Sequence, residues 1–224
     1  MNQKIIAQAA VSILEELYPE AVCSLTYDKS KPWQLLFAAR LSAQCTDARV
    51  NKVTPKLFAE FPSLEAFADA DVADIEAIIK PCGLYKTKAR SIKDAAIKLI
   101  ADFGGELPET LEDLLTLQGI GRKTANLIMG DIHGKPAIVT DTHFMRITKR
   151  LGLTESTSPH AIEKDLVKLI PPEKSSDFCH RLVLFGREYC TAKNPKCSDC
   201  PIKQCSYARA LIEDSKIFNG MTLK

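Results

Sequence analysis

Apolar residues recur every three or four positions along this 224-residue chain, and strand-like alternation is nearly absent, which confines it to an all-α fold. Near the start, Ile5, Ile6, Ala9, Ile13, Leu14 and Leu17 form one such stripe. The same periodicity predicts helices over 32–42, 46–60, 63–68, 72–80, 86–103 and 110–117, then 122–131, 142–151, 159–170 and 175–189. Several boundaries carry their own signals: Thr46 as a cap, Ser158 before Pro159 at a first helical position, and Gly104-Gly105 after a helix end. Pro55 interrupts the pattern of Val50, Val53, Leu57 and Phe58 and is expected to kink or split that helix. Trp33 lies in the apolar run with Leu35, Leu36 and Phe37, where core packing is its ordinary role.

A hydrophobic share of 46% suffices for one large domain or two small ones. The breaks at Gly134-Lys135-Pro136 and Pro171-Pro172 are too short for flexible linkers, so two domains would pack closely. The formal net charge is only +2, and any affinity for nucleic acid must therefore come from a local patch. Residues 60–79 hold six carboxylates and no Lys or Arg, whereas Lys80, Lys86, Lys88, Arg90 and Lys93 follow without an acid among them. One edge is expected to be basic. The first eighteen residues read as an amphipathic helix rather than a secretory signal, and no run reaches membrane-spanning length. A cytoplasmic address is expected, nucleoid-associated in a bacterium, with the eight cysteines as thiols or metal ligands.

Chemistry concentrates in Leu117-Gln118-Gly119-Ile120-Gly121-Arg122-Lys123-Thr124-Ala125 and in Val139-Thr140-Asp141-Thr142-His143. A Gly-x-Gly turn between helices can aim backbone N–H groups and a helix N-terminus at one phosphate, gripping DNA without reading its sequence. Lys123, just past the turn, would lie beside whatever that phosphate belongs to, and a carboxylate such as Asp141 could deprotonate it or balance developing positive charge. Each piece alone has an ordinary reading: Gly-x-Gly as a connector, Lys123 as a solvated charge, Asp141 as a helix N-cap. A nucleotide-binding P-loop is excluded, because that motif needs four residues between its glycines and has no Arg before its lysine.

Cys190, Cys197, Cys200 and Cys205 are spaced C-x6-C-x2-C-x4-C, while Cys23, Cys45, Cys82 and Cys179 are scattered. Structural zinc sites usually use two short cysteine pairs, and only one CxxC occurs here. A cubane iron–sulfur cluster spreads its corners more widely and accepts unequal spacings, and Pro201 after Cys200 is ferredoxin-like. Spacing thus favours a cluster over zinc, with disulfides a distant third. The scattered cysteines are expected to be small buried apolar residues.

Taken together, five segments in order resemble the endonuclease III branch of the helix-hairpin-helix DNA glycosylases. They are Leu41-Ser42-Ala43-Gln44-Cys45-Thr46-Asp47, Gly83-Leu84-Tyr85-Lys86-Thr87-Lys88-Ala89, the hairpin with Lys123, the block with Asp141, and the cysteine loop. The resemblance implies two closely packed helical domains: a six-helix barrel over 25–135 containing the hairpin at about 110–130, and a cluster-bearing domain formed by 1–24 and 136–224. It implies a bifunctional DNA glycosylase and abasic-site lyase of base excision repair, acting as a monomer on double-stranded DNA with damaged pyrimidines or abasic sites. Lys123 would be the amine nucleophile and Asp141 the catalytic carboxylate. Gln44 and Leu84 would fill the gap left by an extruded nucleotide. Lys86, Lys88, Gly119, Gly121, Arg122 and His143 are further expected DNA contacts, and the four loop cysteines would hold a 4Fe-4S cluster.

Two departures stand out. The family commonly has five residues between the last two cysteines, against four here (201–204), and proline where this chain has Gln118. A monofunctional adenine or mismatch glycosylase of the same superfamily is the nearest alternative, although such relatives typically lack the hairpin lysine. A noncatalytic DNA-binding module would use the hairpin but not Lys123, and an electron-transfer protein would leave the hairpin unexplained. The last nineteen residues, from Ser206, carry no assignable pattern.

Overall fold

The computed structural model describes residues 2–208 and 210. Their α-helices, in chain order, are α1 (Gln3–Leu17), α2 (Trp33–Leu41), α3 (Asp47–Glu60), α4 (Leu64–Asp69), α5 (Val72–Ile79), α6 (Tyr85–Phe103), α7 (Leu111–Leu115), α8 (Arg122–Asp131), α9 (Thr142–Leu151), α10 (Pro159–Val167) and α11 (Ser175–Glu188). Short 3-10 turns cover Lys80–Cys82 and Pro172–Lys174. No strand occurs among the described residues. Residues 206–208 are helical, and the chain from 211 onward lies outside the described residues. None of the described helices is long and apolar enough to cross a membrane.

The chain divides into two compact units, Cys23–Lys135 and Met1–Val22 with Pro136–Lys224. In the first, α6 packs against α2, α4 and α5, and α8 against α2 and α7. Its core is aromatic at one end, where Trp33 is 8% exposed and meets Phe37, Phe58 and Phe67 at 5.5–5.7 Å. In the second, α11 packs against α1 and α9. Arg181 of α11 donates to the Tyr18 carbonyl and pairs with Glu15 and Asp177, tying the end of α1 to its neighbour.

Local signals and caps agree at Thr46, whose hydroxyl accepts the Arg49 N–H, at Ser158, which accepts from Ala161, and at Gly104, which ends α6 at φ 61°. Three expectations need correction. The buried stripe of α1 is Ile6, Ala7, Ala10, Val11 and Leu14, whereas Ile5 and Leu17 are exposed. Two apolar stripes lie one residue apart on this helix, and the one with two small alanines permits the closer approach to a neighbour. Pro55 does not split α3: it sits on the exposed face, so the Asn51 carbonyl that loses its helical partner is not stranded in the core. Helices α7 and α10 end earlier than their periodicity implies, at Leu115 and Val167.

Candidate active site and cluster loop

The hairpin between α7 and α8 forms because Leu117 and Ile120 are buried on either side of Gly119, with the Ile120 N–H donating to the Leu117 carbonyl. Gly119 adopts φ 76°, and a Cβ there would stand 2.6 Å from Arg40 Nε and 2.8 Å from Ser91 Cβ. Arg40 in turn donates from Nε to Ser91 Oγ at 2.9 Å, and Ser91 donates to the Thr87 carbonyl. The turn therefore rests on a polar lock between α2 and α6, which supplies the rigidity that proline would give at Gln118. Gly121 is the N-cap of α8 and offers no side chain to its first N–H groups. That leaves them for an anion, helped by the helix dipole. Lys123, in the first turn of α8, is exposed, and Arg122 is half-buried.

Gly119→Ala is expected to lower stability by about 2–3 kcal/mol, from left-handed strain plus the displaced Arg40–Ser91 contact, and to weaken duplex binding. Urea unfolding and fluorescence anisotropy measure the two effects. Wild-type stability in this variant would mean that the turn does not need its glycine.

Gln44 and Leu84 are both exposed, Leu84 by 55%. An apolar side chain of that size in solvent is unlike the core leucine that composition alone would suggest. The basic run that follows Leu84 needs correcting. Lys80, Lys86 and Arg90 are exposed, but Lys88 is fully buried, its Nζ donating to the carbonyls of Leu41 at 2.8 Å and Cys82 at 2.9 Å. Lys88 is therefore not a DNA contact. Helical phase explains this: Lys86 and Arg90, four residues apart, share a face, whereas Lys88 lies two residues from each and turns inward. Lys93 is also drawn to the backbone, donating to the Ala70 carbonyl at 2.7 Å.

In the other unit, Asp141 is the N-cap of α9. Its Oδ1 accepts the Phe144 N–H at 2.7 Å, leaving Oδ2 for a ligand. The segment leading to it is held on α11, where Ser175 Oγ accepts the Ala137 N–H and Cys179 Sγ accepts the Val139 N–H. Cys179 is thus buried, as expected, and also a backbone acceptor. Cys82 is buried too, while Cys23 and Cys45 are half-buried. His143 packs on Gly186, where a Cβ would come within 2.6 Å of its Nδ1, and the same nitrogen lies 3.2 Å from Arg146. Arg146 also donates to the carbonyls of Gly186 and Cys190.

The four loop cysteines line one cavity, with Arg150, Phe185, Tyr189 and Tyr207 among its other walls. They ring this volume, and among the described residues no three His, Cys, Asp or Glu side chains converge on the point a single ion would occupy. Burial and the neighbouring sulfurs push the Cys197 and Cys200 thiols up, so the set is unfavourable as bare thiolates and asks for cationic charge. Four soft donors around one cavity fit a 4Fe-4S cluster. The short 201–204 spacing closes through Ile202, only 1% exposed, which anchors that loop in the core.

Sequence reasoning missed the residues that support the loop. Arg150 donates to Cys190 Sγ at 3.3 Å and to the carbonyls of Thr191 and Ala192, and stacks on Tyr207 at 4.8 Å. The carbonyls of Arg150 and Leu151 accept from Cys205 and Ser206. Their only signal was the position of Arg146 and Arg150, four apart on the helix that Asp141 begins.

An all-helical chain with a Gly-x-Gly hairpin, a lysine at its exit and a capping aspartate defines a helix-hairpin-helix base excision protein. Residues 37–172 match the HhH-GPD superfamily base excision DNA repair proteins, and 190–204 match the iron–sulfur binding domain of endonuclease III. An endonuclease III from Synechocystis sp. is 45% identical over 93% of this chain and 95% of its own length, and that of Bacillus subtilis is 41% identical over 84% and 85%. A solved endonuclease III in non-covalent complex with DNA is 38% identical, covers 95% of this chain and all of its own, and superposes with a TM-score of 0.88. The chain belongs to the endonuclease III family.

Proposed function

We propose that this chain binds duplex DNA at damaged pyrimidines and abasic sites as a monomer, with Lys123 and Asp141 carrying the chemistry. As an endonuclease III family member it is a bifunctional DNA glycosylase and abasic-site lyase of base excision repair. The observation that carries the assignment of roles is Lys123, exposed in the first turn of α8 two residues after Gly121, which gives that helix no side-chain cap. A phosphate held by those N–H groups brings the adjoining sugar to the amine. A trapped covalent intermediate with DNA is known for an endonuclease III of the same fold, 38% identical with a TM-score of 0.88.

The reaction follows from the groups. DNA closing over Lys123 holds the amine against the sugar and excludes competing water. Its Nζ lone pair attacks the sugar C1′ as the bond from C1′ to the base breaks, and the base leaves with that electron pair and takes up a proton. Oδ2 of Asp141 stabilises positive charge on the sugar, accepts the proton lost by the amine and passes it to O4′ as the C1′–O4′ bond breaks, which leaves C1′ doubly bonded to Nζ. The resulting iminium acidifies the C2′ proton. Its removal expels the 3′ phosphate, cutting the strand, and water then frees Lys123. Gln44 and Leu84 fill the vacated stack, offsetting part of the unstacking cost. Lys86, Arg122, His143 and the backbone at Gly119 and Gly121 grip the strand without reading its sequence. Cys190, Cys197, Cys200 and Cys205 hold the 4Fe-4S cluster, which supplies structure to the loop and takes no part in these steps.

Borohydride reduction during reaction with a duplex containing one abasic site tests this assignment. A covalent adduct mapped to Lys123 and absent from Lys123→Ala is the expected result. No adduct from wild-type protein that binds the duplex would remove Lys123 as nucleophile and leave it a phosphate contact.

A further inference from the structure

Gln44 and Leu84 are the two non-glycine residues, among those described, with backbone in the left-handed region, at φ 54° and 49°. Such a conformation is disfavoured for a leucine, because its Cβ crowds the following carbonyl, and it persists where the surroundings impose it. Both side chains are exposed, so neither tip is held by its own burial.

What holds them lies beneath. Lys88 Nζ donates to the carbonyl of Leu41, the last residue of α2 and three before Gln44. It donates equally to the carbonyl of Cys82, two before Leu84. An ammonium has three donors and no acceptor, so it gathers carbonyls, and a buried charge is retained only where such partners compensate it. The thiols of Cys45 and Cys82, one from each loop, are its electrostatic neighbours. Burial lowers the Lys88 pKa, and the two thiols oppose that shift.

We infer that Lys88 is a positioning residue for base extrusion: by tying the end of α2 to the turn before α6, it fixes the Gln44 and Leu84 tips relative to one another, so that both enter one gap in the duplex. This rests on the reading above, in which those two residues fill that gap. Tips held separately would each lose conformational freedom on insertion, whereas a shared tether meets that cost during folding. An abasic site has no base to unstack. The tether therefore matters more for excision of a damaged base than for cleavage after the base has gone.

Lys88→Met keeps length and apolar bulk and removes the donors. Three single-turnover readouts apply: excision from a duplex with one oxidised pyrimidine, cleavage at a preformed abasic site, and fluorescence of 2-aminopurine opposite the lesion. Excision is expected to fall about tenfold or more and the fluorescence rise to be lost, with abasic-site cleavage and affinity for undamaged duplex within about threefold of wild type. Adding Lys88→Met to Gln44→Ala/Leu84→Ala should cause no further loss, because residues acting through one another are non-additive. Equal losses on both substrates, or a full additional loss in that background, would overturn the inference. If Gln44→Ala/Leu84→Ala excises at the wild-type rate, the gap-filling reading itself fails and takes the tether with it. Failure of borohydride trapping, by contrast, removes the role of Lys123 and leaves these comparisons standing. Should Lys88→Met not fold, Lys88→Leu, which likewise has no donor for the carbonyls of Leu41 and Cys82, carries the same comparison.

Discussion

Asp141→Asn is expected to lose about 10²- to 10⁴-fold in single-turnover strand cleavage while the protein unfolds at nearly its wild-type denaturant concentration. The two effects separate because the proposed mechanism gives Asp141 a task besides capping. Its Oδ1 caps α9 by accepting the Phe144 N–H, and asparagine caps a helix about as well as aspartate. The amide cannot take a proton from the Lys123 amine or offset positive charge on the sugar. Asp141→Ala removes the cap as well, at about 1 kcal/mol of stability, and serves as the control. If Asp141→Asn cleaved normally, Asp141 would be a helix cap alone.

The second large effect concerns the cysteine loop. Cys200→Ser replaces a soft thiolate with a hydroxyl, which iron–sulfur clusters do not take as an ordinary ligand. Binding of a structural metal contributes on the order of 10 kcal/mol to the unit that holds it, so forfeiting one of four ligands should cost several kcal/mol. The expected outcome is reduced visible absorbance, a lower midpoint of thermal unfolding, and weaker duplex binding out of proportion to any change in the chemical step. Cys23, which does not line this cavity, is the control. Full colour with wild-type stability and affinity in Cys200→Ser would remove that cysteine from the ligand set.

Much of this architecture was legible because the signals were local. Thr46, Ser158 with Pro159, and Gly104 mark helix ends by chemistry that acts within a turn, and the hairpin glycines and the cysteine spacing are equally local. Direction was harder to read. Lys88 stands in a row of basic residues, yet its side chain faces the carbonyls of Leu41 and Cys82, and only the phase at which α6 starts decides that. That phase is set at Leu84, whose left-handed backbone no propensity would assign to leucine. In α1, two stripes one residue apart were equally periodic, and only packing against a partner helix chooses between them. Arg146 and Arg150 look like ordinary surface charges in the sequence. Their acceptors are carbonyls about forty residues further along the chain.

Helix α9 is committed at both ends. Asp141 caps its start, while its last carbonyls and Arg150 hold the cysteine loop. Its length of ten residues is therefore a fixed dimension of the protein. One residue added or removed would turn one end by about 100° relative to the other and shift it by about 1.5 Å. Either the carboxylate or the loop would then face the wrong way. Between Thr142 and Leu151 the chain can change residues but not their number.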